Sequence, residues 1–66
     1  MKLRELKKGD FFTFKDYKGA EIKSYQRVYI RGDYDRSTKR YEVVCFQNCV
    51  TRLIRGDKEV FTDFIF

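Results

Sequence analysis

Cys45 and Cys49 are the two thiols of this 66-residue chain; three residues separate them and no histidine accompanies them. A tetrahedral zinc site uses about four nitrogen or sulfur ligands, so carboxylates would have to complete one here. The two cysteines are therefore expected to be small buried hydrophobes. A disulfide or redox pair is the alternative. The missing histidine removes the commonest general base, and with it the Ser/His and Cys/His nucleophile pairs. Asp33 and Asp35 stand among Lys and Arg, where solvated charge is the ordinary role of a carboxylate. Gly9, Gly19, Gly32 and Gly56 are isolated from one another, so no phosphate-cradling loop is formed. The expectation is a protein that is not an enzyme and has no cofactor, no metal and no small-molecule substrate.

Binding chemistry is better represented than catalysis. The chain carries 15 Lys+Arg against 10 Asp+Glu. Residues 1–40 hold 12 Lys+Arg and 6 Asp+Glu, a net of +6, and residues 41–66 hold 3 and 4, a net of −1. Tyrosines are interleaved with that positive excess. Arg and Lys neutralise phosphates while aromatic faces stack bases, so such a mixture suits nucleic acid. The candidate residues are Tyr25, Arg27, Tyr29, Arg31, Tyr34, Arg36, Lys39 and Arg40. A solvated strand face would show the same residue types, because Arg stacked on an exposed Tyr contributes only about 0.5–1 kcal/mol.

The elements that must position these groups read as strands. Helical spacing is limited to Leu3 and Leu6 within Lys2–Lys8, one short turn or an extended arm that ends at Gly9-Asp10. Beyond it lie five β-rich runs: Asp10–Lys15, Ser24–Arg31, Lys39–Gln47, Asn48 or Cys49 to Arg55, and Glu59–Phe66. In the second run Tyr25, Arg27, Tyr29 and Arg31 alternate with Gln26, Val28 and Ile30. Val28 and Ile30 are expected to face the core, with the two Tyr and two Arg outside. Gln47-Asn48 is the expected hairpin turn, and Gly56-Asp57 marks another. Residues 16–21 and 32–38 read as polar loops able to carry function. This order of strands and loops predicts one all-β domain over residues 1–66, a small five-stranded SH3-like barrel, with an OB-like barrel as the alternative. Ile-Arg-Gly-Asp occurs at 30–33 and again at 54–57, which strand-to-turn chemistry explains without a duplication.

The later runs are apolar on both faces. Tyr41, Val43 and Cys45 oppose Val44 and Phe46; Val60, Phe64 and Phe66 oppose Phe61 and Ile65. A small barrel has one interior, so the second set needs the N-terminal arm or a partner to cover it, or remains an exposed patch. A protein-interaction module or homodimer built on Phe61, Ile65 and Phe66 is thus the alternative to nucleic acid. Disorder is excluded by a hydrophobic fraction of 42% with 7 Phe and 5 Tyr. The longest apolar runs, Val43–Phe46 and Phe64–Phe66, fall far short of the roughly 20 residues of a membrane span. No secretory signal is read in the basic opening residues, so the cytoplasm is the expected compartment.

Leu6-Lys7-Lys8-Gly9-Asp10-Phe11-Phe12-Thr13, residues 28–36 and residues 56–63 together give a chain that resembles a family of small uncharacterised bacterial proteins. The resemblance implies a bacterial cytoplasmic setting and no particular activity. Leu-x-x-Gly-Asp-x-Phe also looks like the opening strand of many small bacterial barrels, in which Gly-Asp makes the turn and Phe enters the core.

Overall fold

A computed structural model describes all residues, Met1–Phe66. The chain is all-β, with four strands in one open antiparallel meander: β1 (Phe11–Phe12), β2 (Tyr29–Asp35), β3 (Arg40–Cys45) and β4 (Thr51–Arg55). Leu3–Glu5 forms a single 3-10 turn, closed by the Glu5 carboxylate accepting from the Lys2 amide at 2.6 Å. That turn lays Leu3 and Leu6 into the core beside Phe12, Val43 and Val60, with Phe14, Tyr29, Tyr41 and Ile54 packed around them.

Regular strands carry only part of the order, since 20 of the 32 backbone hydrogen bonds lie outside them. The expected fifth strand, Glu59–Phe66, is replaced by isolated bridges from Lys2 to Glu59, from Thr13 to Phe61 and from Glu21 to Ile65. Its partners come from three separate stretches, so no continuous ladder develops. Buried Thr13 anchors the middle of this run, exchanging amide and carbonyl bonds with Phe61 at 2.8 and 2.9 Å.

The second strand also differs from the expectation. It begins at Tyr29 rather than Ser24 and runs on to Asp35, absorbing residues read as loop. Its register steps from Arg31↔Val43 to Tyr34↔Tyr41, three residues against two, so β2 contains a bulge. Gly32 permits it, because a Cβ there would stand 3.0 Å from the Glu42 carbonyl oxygen. The bulge reverses the side-chain parity and returns Tyr34 to the face that carries Arg31.

Between β3 and β4 the turn spans Phe46–Asn48, longer than the expected pair. Gln47 has a specific role there: its side-chain oxygen accepts from the Val28 amide and its Nε2 donates to the Gln26 carbonyl, both at 3.0 Å. The turn is thereby tied to the end of the long β1–β2 connection.

Candidate functional site

Three shallow grooves open along the core-facing side of the sheet, and together they are lined by all five tyrosines. The first lies against the β1–β2 connection, with Lys15, Tyr17, Tyr25, Arg27 and Tyr29 around Phe14. The second lies between the β2–β3 hairpin and the turn after β4, lined by Arg4, Tyr34, Lys39, Tyr41, Arg55 and Asp57. Between them Arg52 and Lys58 flank Phe14 and Ile54. Phe14 joins the first groove to this middle one, and the cross-strand pair Tyr41↔Ile54 joins the middle one to the second. Seven Lys and Arg side chains line the three grooves against a single acid, Asp57. A fourth hollow, on the side of the Thr13–Phe61 bridge, holds Asp16 and Asp63 and no Lys or Arg.

Packing fixes the rings. Tyr29 stacks on Phe12 at 5.9 Å and leans on Phe14 at 4.7 Å, so the core itself supports the floor of the first groove. Tyr41 is gripped more tightly. Arg31 places its guanidinium 4.3 Å from the ring centroid, while Tyr34 meets the ring at 4.9 Å with planes tilted by 56°. Gly56 is the third side of this clamp, because any Cβ there would fall 2.9 Å from Tyr41 Cε2 and 3.3 Å from Arg4 Cβ. The Arg31 Nε is buried without a hydrogen-bond partner. Its cation is held instead by the aromatic face beneath it.

The acids near these cations are mostly engaged. Lys8 Nζ pairs with Asp33 at 2.8 Å, and its hydrogen bond and charge hold that carboxyl below its ordinary range. The Ser37 hydroxyl and amide donate to Asp35 at 2.7 and 3.0 Å and lower its pKa in the same way. Arg55 meets Asp57 at 3.2 Å. Arg40 and Arg55 stand directly opposite each other on β3 and β4, a like-charge juxtaposition that opposes folding. Lys39 adds a second cost: it holds φ of 57°, in a region where a side chain is disfavoured by about 1–2 kcal/mol.

The eight residues singled out from sequence do not form one strand face. Tyr25 and Arg27 precede β2 on the connection, where Arg27 donates to the Ser24 carbonyl at 3.2 Å. Tyr29 and Arg31 face the core side rather than solvent, and Ile30 lies on the opposite face beside Phe11 and Val44. Val28 is fully buried, as its pattern suggested, though outside the main core cluster. Tyr34 and Lys39 share the second groove, whereas Arg36 and Arg40 are exposed near it without lining it. Sequence reasoning missed Arg4, Lys15, Tyr17, Tyr41, Arg52, Arg55 and Lys58. Three of those are the only cations beyond residue 41, where the regional sum was negative. Arg52, alternating with Ile54 in a strand run, was the legible signal.

The opposite face of the sheet is apolar at the end that carries Phe11, Ile30 and Val44, and charged further along β3 at Glu42 and Arg40. Phe11, Phe46 and Phe66 form a ring cluster with centroids 4.9–5.7 Å apart, flanked by half-buried Ile30 and Val44. All three rings remain partly exposed, Phe66 by 54%. Ile65 is exposed next to Phe66, but Phe61 lies apart, half-buried at the hollow of Asp16 and Asp63. The two cysteines differ as well: Cys45 is buried and Cys49 exposed, both as free thiols, with the Cys49 amide donating to the Cys45 carbonyl at 2.8 Å. The expectation of two buried thiols therefore holds for one of them, because Cys49 lies just after the hairpin turn, on the exposed approach to β4.

No family model matches the chain, and no curated protein or solved structure matches it either. The geometry of its own residues therefore carries the functional argument.

Proposed function

We propose that this protein is a non-enzymatic binding module that holds nucleic acid along the tyrosine-lined, cationic side of its sheet. One observation carries the reading: all five tyrosines line the same run of grooves as seven Lys and Arg, with one acid among them. Phosphates need dispersed cations, and bases need aromatic faces held rigidly enough that stacking costs little entropy. On this reading the domain is a small SH3-like barrel working in the bacterial cytoplasm. Support for barrel closure comes from the Thr13–Phe61 and Lys2–Glu59 bridges, which carry the C-terminal segment across the β1 side of the meander.

The test is a titration with single-stranded and duplex oligonucleotides at low and high salt. Binding should weaken as salt rises, with a log–log slope close to the number of phosphates neutralised. Absence of binding at low salt, where the electrostatic term is largest, would remove the reading.

The Phe11, Phe46 and Phe66 cluster favours a second reading, self-association through the apolar face with Ile65 at its margin. Sedimentation at high concentration would then give a doubled mass, and Phe66→Asp would return it to the monomer. Phe61→Asp should leave the mass unchanged, since Phe61 stands away from that cluster.

A further inference from the structure

The β2–β3 hairpin ends in a layered stack. Arg31 lies on Tyr41, Tyr41 is fixed by the Gly56 backbone, and Tyr34 leans on Tyr41 with its own ring 46% exposed. Arg4, Lys39 and Arg55 surround the open side. Arg31 adds the positive charge of a half-buried side chain behind the rings, and its buried Nε donates to nothing. A flat ring with a negatively charged substituent complements this arrangement: the ring extends the stack, and the anion meets the cations at its edge.

A duplex offers such a site little. Its bases stack on one another, and their faces are exposed only at the ends, so a duplex would engage the cations and leave Tyr34 idle. Resting on the nucleic-acid reading above, we propose that this groove takes an unpaired base of a single strand on Tyr34, with the flanking phosphates held by Arg4, Lys39 and Arg55. A second station stands at the far end of the same side, where Tyr25 is 73% exposed beside Arg27. Tyr29, in the groove of that station, and Tyr34 lie five positions apart on β2, at most about 17 Å at roughly 3.4 Å per residue. One short strand can therefore serve both stations, with a site near the lower end of the roughly 4–16 nucleotides known for OB folds, which bind single strands by the same stacking and charge.

Anisotropy of a labelled eight-nucleotide single strand and of its duplex, at low salt, tests the inference. Tyrosine emission supplies a second readout, because the chain has no tryptophan and all its tyrosines line the grooves. The single strand should bind at least about tenfold tighter than the duplex and quench that emission. Tyr34→Ala should weaken the single strand roughly 5- to 150-fold and the duplex little, while Tyr34→Phe retains binding. Tyr25→Ala, a change at an exposed turn, should weaken the single strand too, so the inference stays testable if Tyr34→Ala fails to fold. Lys39→Gln should weaken both ligands. Equal binding of single strand and duplex, with both tyrosine variants unchanged and Lys39→Gln weaker, would overturn the single-strand site and leave the nucleic-acid reading standing. No binding of either ligand at low salt would overturn both.

Discussion

Replacing Gly56 with alanine asks whether Tyr41 is clamped as tightly as its surroundings imply. The added methyl would lie 2.9 Å from Tyr41 Cε2 and 3.3 Å from Arg4 Cβ. Carbon atoms rest at about 3.5–4.0 Å, so the ring must move by roughly 0.6–1 Å. Neither direction is free, because Arg31 stands 4.3 Å from the ring centroid and the Tyr34 centroid is at 4.9 Å. Overpacking of this kind costs about 1–3 kcal/mol. Against it, alanine restricts the unfolded chain, which stabilises by about 0.4–1 kcal/mol where the backbone suits it. Overpacking wins, and a net loss of about 1–2 kcal/mol is expected. For a domain of this size that lowers Tm by roughly 4–16 °C, readable by circular dichroism. Truncating the clamped ring should remove the conflict, so in a Tyr41→Leu background Gly56→Ala should cost less than it does alone. An unchanged Tm for Gly56→Ala, or full additivity in that cycle, would refute the clamp.

Lys39→Gly should move stability and binding in opposite directions: relief of the positive φ raises stability by up to about 1 kcal/mol, while loss of the cation weakens oligonucleotide binding and reduces the salt slope by about 1. A Lys39→Gly protein that melts lower would remove the strain argument. Phe12→Ala, at a fully buried position in a small core, should cost about 3–5 kcal/mol and leave the chain largely unfolded at 25 °C, checked by urea titration. A thiol reagent should modify one cysteine of the folded protein rapidly, Cys49, and the second only on denaturation. Acid should destabilise the fold. Asp33, Asp35 and Glu59 have carboxyls held below their ordinary values by Lys8, Ser37 and the N-terminal ammonium respectively, so their contribution is full above the unfolded-state pKa and lost as pH falls through the lower folded-state value. Tm should therefore fall from about pH 5 downward, and Lys8→Met should flatten the Asp33 part of that slope.

Much of the architecture was legible because strand chemistry is local. The period-two pattern in residues 41–46 separates Tyr41, Val43 and Cys45 from Val44 and Phe46, and the sheet divides them in the same way. The regions of β3 and β4 and the short N-terminal turn with its inward Leu3 and Leu6 could be read from residue type and spacing, whereas the aromatics mix, with Phe14 among the tyrosines of the grooves and Tyr29 and Tyr41 packed on the core. The alternation in residues 25–31 misled, because parity says which side chains share a face and not which face is covered. Tyr29 and Arg31 lie on the core side since Phe12 and Tyr41 offer them aromatic surface there, and an amphipathic side chain can bury its body while keeping its polar end near water.

Composition and spacing by themselves determined an all-β chain without histidine chemistry, rich in cations and tyrosines. Tertiary structure alone decided which of those groups meet. Arg4, Tyr34, Tyr41 and Arg55 are distant in sequence and join one groove because a bulge at Gly32 reverses the parity of β2 and Gly56 lets the chain close on Tyr41. Both effects depend on contacts between strands, where one backbone approaches another or a ring, and no pattern within a single strand records them.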